Sequence, residues 1–387
     1  MDKTGNSKRV YRGRQLCVIA LGCFLCILFV YLIRQCNDFV REELVSAKGQ
    51  SYEKAEVTDI LKDNLAEDGK RYGNQVVMVH LLSGAQKGQV VEATSPNGTL
   101  FGAVCTVGMN VIVIVSRTDN TSVVTVYSKD RGLCIYAFLL FFVGIVCLIG
   151  GKQGVKAVIS LMFTFVCVVA VLFPLLYRGW SPVLTTIGIC MLATVVTLIL
   201  IGGFTSKTVS AMVGTTAGVT IAAVTALVFG KMAGISGFNV PEIETLNYVA
   251  EYCALHIGEL LFAGIIISSL GAVMDVGMSI SSTIQEIHMV NPKLGRMELF
   301  KSGIQVGRDM MGTMVNTLIL AYVGGSITTL MINYAYRLPY QQLLNSYNVG
   351  IEIMQGVSGS VGVVMTVPIT AGVAVLFVKK NNIDLQE

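Results

Sequence analysis

Charged residues are scarce in this chain of 387 residues. Asp, Glu, Lys and Arg make up 13% of it, whereas an ordinary soluble domain carries about 25%. Hydrophobic types make up 53%, and the mean hydropathy is +0.68. Because so little polar surface cannot cover a water-soluble fold, the composition argues against a soluble enzyme and predicts a protein of the lipid bilayer.

Sequence signs of catalysis and of metal binding are also missing. The chain has 3 histidines, none of them near a cysteine pair, so no zinc site is predicted. The glycine pairs at 150–151 and 202–203 lack the Lys-Ser/Thr of a P-loop, and no Ser-His-Asp arrangement is recognisable. The net charge of +4 is spread over short loops, which argues against a nucleic-acid partner. We therefore expect no catalytic residue, metal or cofactor.

Long apolar runs are what the chain has instead. A spanning helix needs about 20 mostly apolar residues to cross a hydrocarbon core about 30 Å thick. The runs predict an α-helical polytopic membrane protein with about eight transmembrane helices: Leu16–Ile33, Leu133–Gly150, Val155–Leu176, Val183–Gly203, Val209–Gly230, Ile257–Asp275, Asp309–Ile332 and Gly356–Val378. Five basic residues precede the first run and no small-residue cleavage site follows it, so we interpret it as an uncleaved signal anchor.

Basic residues are divided unevenly among the short loops. Loops after an even number of spans hold most of them: Lys152, Lys156, Lys207, Lys293, Arg296, Lys301, Arg308, Lys379 and Lys380. The other short loops hold only Arg178, Lys231 and Arg337. Since cytoplasmic loops are rich in Lys and Arg, both termini are predicted in the cytoplasm of a bacterial cell, with the chain in its cytoplasmic membrane.

Residues 37–132 differ in character from the rest of the chain. They contain twelve acidic and ten basic residues and five short β-rich runs: Tyr52–Ile60, Asn74–Leu82, Gln89–Thr94, Asn110–Ser116 and Ser122–Tyr127. Ser83–Gly88 is a plausible hairpin loop. We expect a small all-β, OB-like domain outside the cytoplasm. It would separate the N-terminus and anchor (1–36) from a seven-helix membrane domain (133–387).

Polar residues interrupt the sixth predicted span. Ionisable side chains are costly in hydrocarbon, so Asp275 is a candidate functional residue. At about 100° per residue, six residues fall within about 40° of one line on a helix: Ser268, Gly271, Asp275, Ser279, Ser282 and Glu286. The spacing predicts a continuous polar stripe from mid-membrane to the cytoplasmic surface.

A second polar stripe begins the seventh span, where Gln305, Asp309, Thr313 and Asn316 share a helix face. Polar side chains at membrane depth face another helix or a water-filled path. We therefore expect a hydrated polar seam in which Asp275 exchanges a proton or holds a cation. Five further residues would form its pathway: Ser268, Ser279, Asp309, Thr313 and Asn316.

A purely structural interpretation of these residues is also open. Asp275 could pair with Arg308 at the inner membrane surface, and Asp309 could cap the next helix. Asn316 and Thr313 could join helices by hydrogen bonds. Packing is the simpler interpretation of the GxxxG pattern Gly214–Gly218 and of the small residues of 356–362.

Four carboxylates cluster around the loop before the sixth span: Glu242, Glu244, Glu251 and Glu259. An external acidic vestibule of this kind would concentrate cations. An ordinary solvated loop is the other interpretation.

Three segments carry a resemblance to a known family. Gly202–Phe204, Leu270–Val276 and Gly307–Tyr322 resemble the YibE/F family of bacterial multi-pass membrane proteins. The resemblance covers about residues 130–378 and implies a membrane location without a defined substrate or reaction.

A fainter similarity connects the helices of Asp275 and Asn316 with one half of the RND superfamily, including the SecD/SecF translocation factors. It implies that Asp275 matches an intramembrane acidic position, with Thr313, Asn316 and Thr317 opposite. The chain departs from that pattern by two extra spans after its external domain. It also has a single half, so a full unit would need a homo-oligomer or a second membrane subunit.

The leading functional hypothesis is a proton- or cation-coupled transporter or export component. The alternative is a non-transporting scaffold or assembly factor that binds a partner through its external β domain. An intramembrane enzyme is third, because no catalytic pair is recognisable.

Overall fold

The structure is a computed structural model that describes residues 29–41, 43–44, 48–97, 101–118 and 121–378. The chain divides into two compact units: residues 43–149 form a barrel unit, and residues 1–42 with 150–387 form a helical unit. Most of the predicted anchor Leu16–Ile33 and the end of the chain after residue 378 lie outside the described residues.

The barrel unit contains the five predicted strands. They are β1 (Gln50–Lys62), β2 (Gln75–Leu81), β3 (Val90–Ser95), β4 (Asn110–Thr118) and β5 (Thr121–Lys129). The strands close into a barrel in the order β1-β2-β3-β5-β4, in which only the β3–β5 pair is parallel. The predicted hairpin loop connects β2 and β3, and Gly84 and Gly88 there have φ values of 84° and 89°. Glycine adopts such positive φ values without strain.

Alternation along the strands explains the barrel core. Val77, Val79 and Leu81 of β2 are fully buried, while the residues between them are only half-buried. Because successive side chains of a strand point to opposite faces, every second residue fills the interior. Small β-branched side chains dominate that interior, as in other small closed barrels.

The helical elements, in chain order, are α1 (residues 29–37), α2 (Gly132–Cys167), a π-helical turn (Val168–Leu172), α3 (Phe173–Tyr177), α4 (Pro182–Gly202), α5 (Ser206–Ala233), a 3-10 turn (Gly237–Asn239), α6 (Ile243–Ala250), α7 (Ile257–Val290), α8 (Arg296–Gly325), α9 (Ile327–Ala335), α10 (Tyr340–Leu344) and α11 (Tyr347–Phe377).

The described residues hold fewer separate membrane-crossing helices than the eight predicted. Five helices are long and apolar enough to cross a bilayer, or six if α8 and α9, bent by 62° at Ser326, count as one span. The predicted spans Leu133–Gly150 and Val155–Leu176 fall in one helical stretch, Gly132–Tyr177, interrupted at Gly151 (φ 52°, ψ −131°). The break at Gly151 falls between these two predicted spans, so the helical segment on each side of it corresponds to one of them.

The centre of the helical unit is a close contact between α5 and α11. A Cβ on Gly218 would collide with Thr366 and lie 3.0 Å from the carbonyl oxygen of Gly362. A Cβ on Gly362 would in turn lie 2.8 Å from the carbonyl oxygen of Gly218. Small residues thus let the two backbones approach, as the GxxxG pattern predicted. Helix α7 packs against this pair through Gly277, where a Cβ would lie 3.0 Å from Thr215 Oγ1.

Helix α1 runs along the end of the stretch 150–177, in the same direction. The rings of Phe29 and Phe163 lie 4.8 Å apart, and those of Phe39 and Tyr177 lie 5.4 Å apart. Between them, Asn37 Nδ2 donates to the carbonyl of Ala170 in the π-helical turn (2.8 Å).

Candidate functional site

The candidate site is built on α7 and α8, which are antiparallel neighbours. Ser268 and Tyr322 share a hydrogen bond between their hydroxyl oxygens (2.7 Å). Farther along the pair, a Cβ on Gly303 would lie 2.5 Å from Ile284 Cδ1. Asp275 is seven residues beyond Ser268, and Asn316 is six residues before Tyr322. At about 1.5 Å per residue, Asp275 and Asn316 therefore lie at nearly the same level.

The polar stripe predicted on α7 is the stripe that packing leaves open. Ser268, Gly271 and Asp275 are exposed, and Ser279 is half-buried, whereas the residues on the opposite side of the helix fill the core. On α8, the exposed residues include Asp309, Thr313 and Asn316. We call these seven residues the α7–α8 face.

The α7–α8 face lies on the outside of the chain, and this corrects one expectation. The two stripes were expected to meet face to face within a seam. Instead α8 turns Gly303 and Gly307 inward, where a Cβ on Gly307 would collide with Val367 of α11. The glycines determine which side of α8 packs, and the polar side is left uncovered.

The level of the face is indicated by the end of α4. A Cβ on Gly202, the last residue of α4, would lie 2.7 Å from Met278 Cε. Asp275 lies one turn before Met278, about 4.5 Å along the axis.

Two threonine hydroxyls on the exposed side of α8 bond within their own helix. Thr313 Oγ1 donates to the carbonyl of Met310, and Thr317 Oγ1 donates to the carbonyl of Thr313, both at 2.9 Å. Among the described residues, no side-chain hydrogen bond or ion pair involves Asp275, Asp309 or Asn316. The two carboxylates and the amide of the face are therefore the groups that have no partner.

The structural alternative fails for two of its residues. Asp309 cannot cap α8, because that helix begins at Arg296 with Gly295 as its N-cap. Arg308 lies near the middle of the same helix, and its side chain is exposed. All three ion pairs in the described part of the chain lie in the barrel, so Arg308 pairs with neither Asp275 nor any other described carboxylate.

A cavity of about 460 Å³ lies at the other end of α8. The bend at Ser326 turns α9 away from the axis of α8, and the space is closed by the first turns of α11. Most of the lining is apolar, and its polar side chains include Glu242, Tyr322 and Glu352. None of the residues that line the cavity is a Lys, Arg or His.

The four carboxylates predicted to form an acidic vestibule differ in their surroundings. Glu242 lines the cavity. Glu259 instead accepts a hydrogen bond from Ser181 Oγ (2.6 Å), and Glu244 and Glu251 are exposed without lining it. Glu352 was missed because the last predicted span began at Gly356, whereas α11 begins at Tyr347.

Tyr322 connects the cavity with the α7–α8 face. Its ring lines the cavity, and its hydroxyl bonds Ser268, the first residue of the polar stripe of α7. The sequence offered a signal for Tyr322, since it ends the third segment that carries the family resemblance, but its role as a connection could not be read from spacing.

The comparisons with known proteins agree with that resemblance. The family model described as YibE/F-like protein matches residues 138–380, more than half of the chain. The chain belongs to the YibE/F-like family. No curated protein and no solved structure matches it. The fainter similarity to one half of an RND protein has no match in support and stays a prediction.

In this YibE/F-like protein, the three segments that carry the family resemblance come together. Gly202–Phe204 ends α4 beside Met278, directly after the α7 segment Leu270–Val276. The α8 segment Gly307–Tyr322 runs alongside that part of α7. The three segments thus lie along α7 between Met278 and Ser268, a stretch that includes Asp275. Among the described residues, no group of three or more His, Cys, Asp or Glu side chains could hold a metal ion.

Proposed function

We propose that this YibE/F-like protein is a proton- or cation-coupled membrane transporter or export component of the bacterial cytoplasmic membrane. The Ser268–Tyr322 hydrogen bond carries the proposal, because it joins an acidic cavity at one end of α8 to a line of polar side chains that leads to Asp275 and Asp309. Ionisable groups on helices that are apolar enough to cross a bilayer mark ion or proton pathways.

In this proposal, cations collect at Glu242 and Glu352, whose negative charges are not offset by any basic residue of the cavity lining. Tyr322 and Ser268 pass a proton or cation on to the face. Asp275 binds and releases it one turn from the end of α4, with Thr313 and Asn316 at its level. Asp309 and Ser279 form the inner exit.

The orientation is part of the same proposal. The bias of Lys and Arg supports cytoplasmic termini and an external barrel. The parallel contact of α1 with the stretch 150–177 also supports it, since the first and third predicted spans should run the same way. The closed order β1-β2-β3-β5-β4 with one parallel pair supports an OB-type barrel, which would contact a substrate or partner outside the cell.

The test is an Asp275→Asn variant in vesicles of phosphatidylethanolamine and phosphatidylglycerol that contain a pH-sensitive dye. A potassium diffusion potential drives protons inward, and imposed sodium gradients are tested in parallel. We expect flux with the wild type and with Asp275→Glu, and its loss with Asp275→Asn. Glu67→Gln, which neutralises an exposed carboxylate of the barrel, is the charge-matched control and should keep the flux.

Two results would count against transport. Equal flux with Asp275→Asn and the wild type would remove the coupling role of Asp275. Flux no greater than that of empty vesicles for every correctly folded variant would favour the scaffold alternative, in which the polar residues only hold helices together and the barrel binds a partner.

A further inference from the structure

The glycines of α7 and α8 fall into two groups. Gly258, Gly277, Gly303 and Gly307 pack against other elements of the chain. By contrast, Cβ atoms on Gly264, Gly271, Gly312, Gly324 and Gly325 would meet nothing within 4 Å. Gly264 and Gly271 lie on the same stripe of α7 as Ser268 and Asp275, so small and polar residues are uncovered together.

Lipid is an unsuitable neighbour for this surface. Hydrocarbon cannot hydrogen-bond a carboxylate or an amide, and polar groups at membrane depth therefore face protein or water. Small residues bring helices together in membranes when another helix fills the space above them. The α7–α8 face thus has the composition of a helix contact, and no helix of the described residues covers it.

Asp309 of the face and the neighbouring Arg308 carry charges that suit a second copy of the same chain. Arg308 and Asp309 are adjacent and exposed, and neither has an ion-pair partner among the described residues. Two copies in one membrane share their orientation, so a two-fold axis along the membrane normal brings equal levels together. Each Arg308 would then face the second copy's Asp309. Likewise each Asp275 would face donors at its own level, Thr313 and Asn316, and such self-complementarity is what an isologous interface requires.

We infer that a second copy of this chain covers the α7–α8 face and completes the polar pathway between the two copies. The inference rests on the proposed function in that the pathway it completes is the proposed one. The interface itself follows from the uncovered residues and can be tested without any transport.

The decisive experiment uses two charge-reversal variants, Arg308→Glu and Asp309→Arg. Each variant alone would place like charges opposite each other at both symmetry-related contacts. Co-expression of the two would create a mixed dimer in which both contacts pair opposite charges again. Only an interface between copies of one chain behaves in this way, because a foreign partner would not carry the compensating change.

The measurement is native mass spectrometry of protein purified in detergent, with a different affinity tag on each variant. We expect the wild type to be a dimer and each variant alone to have a dimer dissociation constant at least ten-fold higher. We also expect mixed dimers that survive both affinity steps. Mixed dimers also show that the variant chains fold. A monomeric wild type, or co-expressed variants that associate no better than each one alone, would overturn the inference.

A glycine variant locates the interface independently. Gly271→Leu should abolish the dimer by filling the space that the second copy needs. Gly188→Leu is the matched control, since Gly188 of α4 is also exposed and has no neighbour within 4 Å of an added Cβ. Equal loss of dimer in both variants would overturn the assignment to the α7–α8 face.

These results separate the two proposals. Monomeric protein with flux that depends on Asp275 would contradict the inference of a second copy and leave the proposed function standing. A dimer that responds to the charge variants, together with flux unchanged in Asp275→Asn, would contradict the proposed function alone.

Discussion

Two surfaces of the helical unit use similar residues for different ends. Between α5 and α11, atoms of the opposite helix occupy the space beside Gly218 and Gly362, and Thr366 is buried. On the α7–α8 face, Gly271 has no neighbour and Thr313 is exposed. Glycine and threonine therefore indicate contact in both places, but only the first contact is made within the chain.

The difference lies in what each surface adds to its small residues. The α5–α11 contact contains no ionisable side chain at the level of Gly218 and Thr366, and its threonines bond within their own helices or not at all. The α7–α8 face adds Asp275 and Asp309 without partners. A surface that only packs has no need of carboxylates, so the comparison favours a role beyond packing for the second surface.

The largest effect should come from adding one methyl group to each surface. Gly218→Ala forces the methyl into Thr366 and the backbone of Gly362, which we expect to cost about 1–3 kcal/mol. Gly271→Ala meets nothing in the chain and should raise helix stability by about 0.5–1 kcal/mol. Thermal unfolding in detergent, under conditions in which the protein is monomeric, measures both. Shifts of the same sign would break the comparison.

A smaller effect is expected for the hydroxyls that bond their own helix. Thr366 Oγ1 donates to the carbonyl of Gly362 (2.8 Å) in a buried place, so Thr366→Val should lose about 1 kcal/mol of stability. Thr313→Val on the open face should leave the unfolding temperature of the monomer unchanged and slow proton flux instead. Unfolding and vesicle assays on the same preparations check this, and an unfolding shift for Thr313→Val as large as that for Thr366→Val would contradict it.

Thr370 should respond in the opposite direction. Its Oγ1 is buried against Gly214 and has no hydrogen-bond partner in the described structure. Since a buried hydroxyl without a partner is unfavourable, Thr370→Val should stabilise the protein by a few tenths to about 1 kcal/mol. The denaturation midpoint measures the change, with Thr366→Val as the isosteric control. A loss of stability would mean that Thr370 serves a polar contact.

The smallest effect concerns a carboxylate that does have a partner. Arg71 Nη1 lies 2.6 Å from Asp63 Oδ1 in the barrel, and this hydrogen bond holds the pKa of Asp63 below its usual 3.8. Because the pKa is lowered on folding, the ionised pair contributes stability above that value and loses it as the pH falls through the folded pKa. Arg71→Gln should therefore weaken the barrel near neutral pH, and the difference from wild type should vanish in acid.

Hydrogen exchange of peptides from β1 and β2 reports this local change at each pH. Lys70→Gln is the control, because no ion pair involves Lys70 in the described structure. A difference between Arg71→Gln and wild type that stays the same as the pH is lowered step by step below 3.8 would show that Arg71 acts through packing.

Local sequence signals were sufficient for the elements and for part of the site. Five short β-rich runs predicted all five strands to within a few residues, and a period of 3.6 placed Ser268, Gly271 and Asp275 on one line of α7. Residue propensity and helical spacing both act over a few neighbouring residues. The number of spans was harder to predict from the sequence. The direction that the chain takes after Gly151 depends on backbone angles that composition does not determine.

The sequence by itself determined the apolar helices, the small barrel, the polar stripes of Asp275 and Asn316, and membership of the YibE/F-like family. Only the tertiary structure decided that these stripes face outward, that Tyr322 joins them to a cavity, and that Glu242 and Glu352 meet there. The physical reason is distance along the chain. Packing against α5 and α11 decides which side chains of α7 and α8 are exposed. Contacts between segments so far apart in the chain produce no repeating pattern in the sequence of either segment.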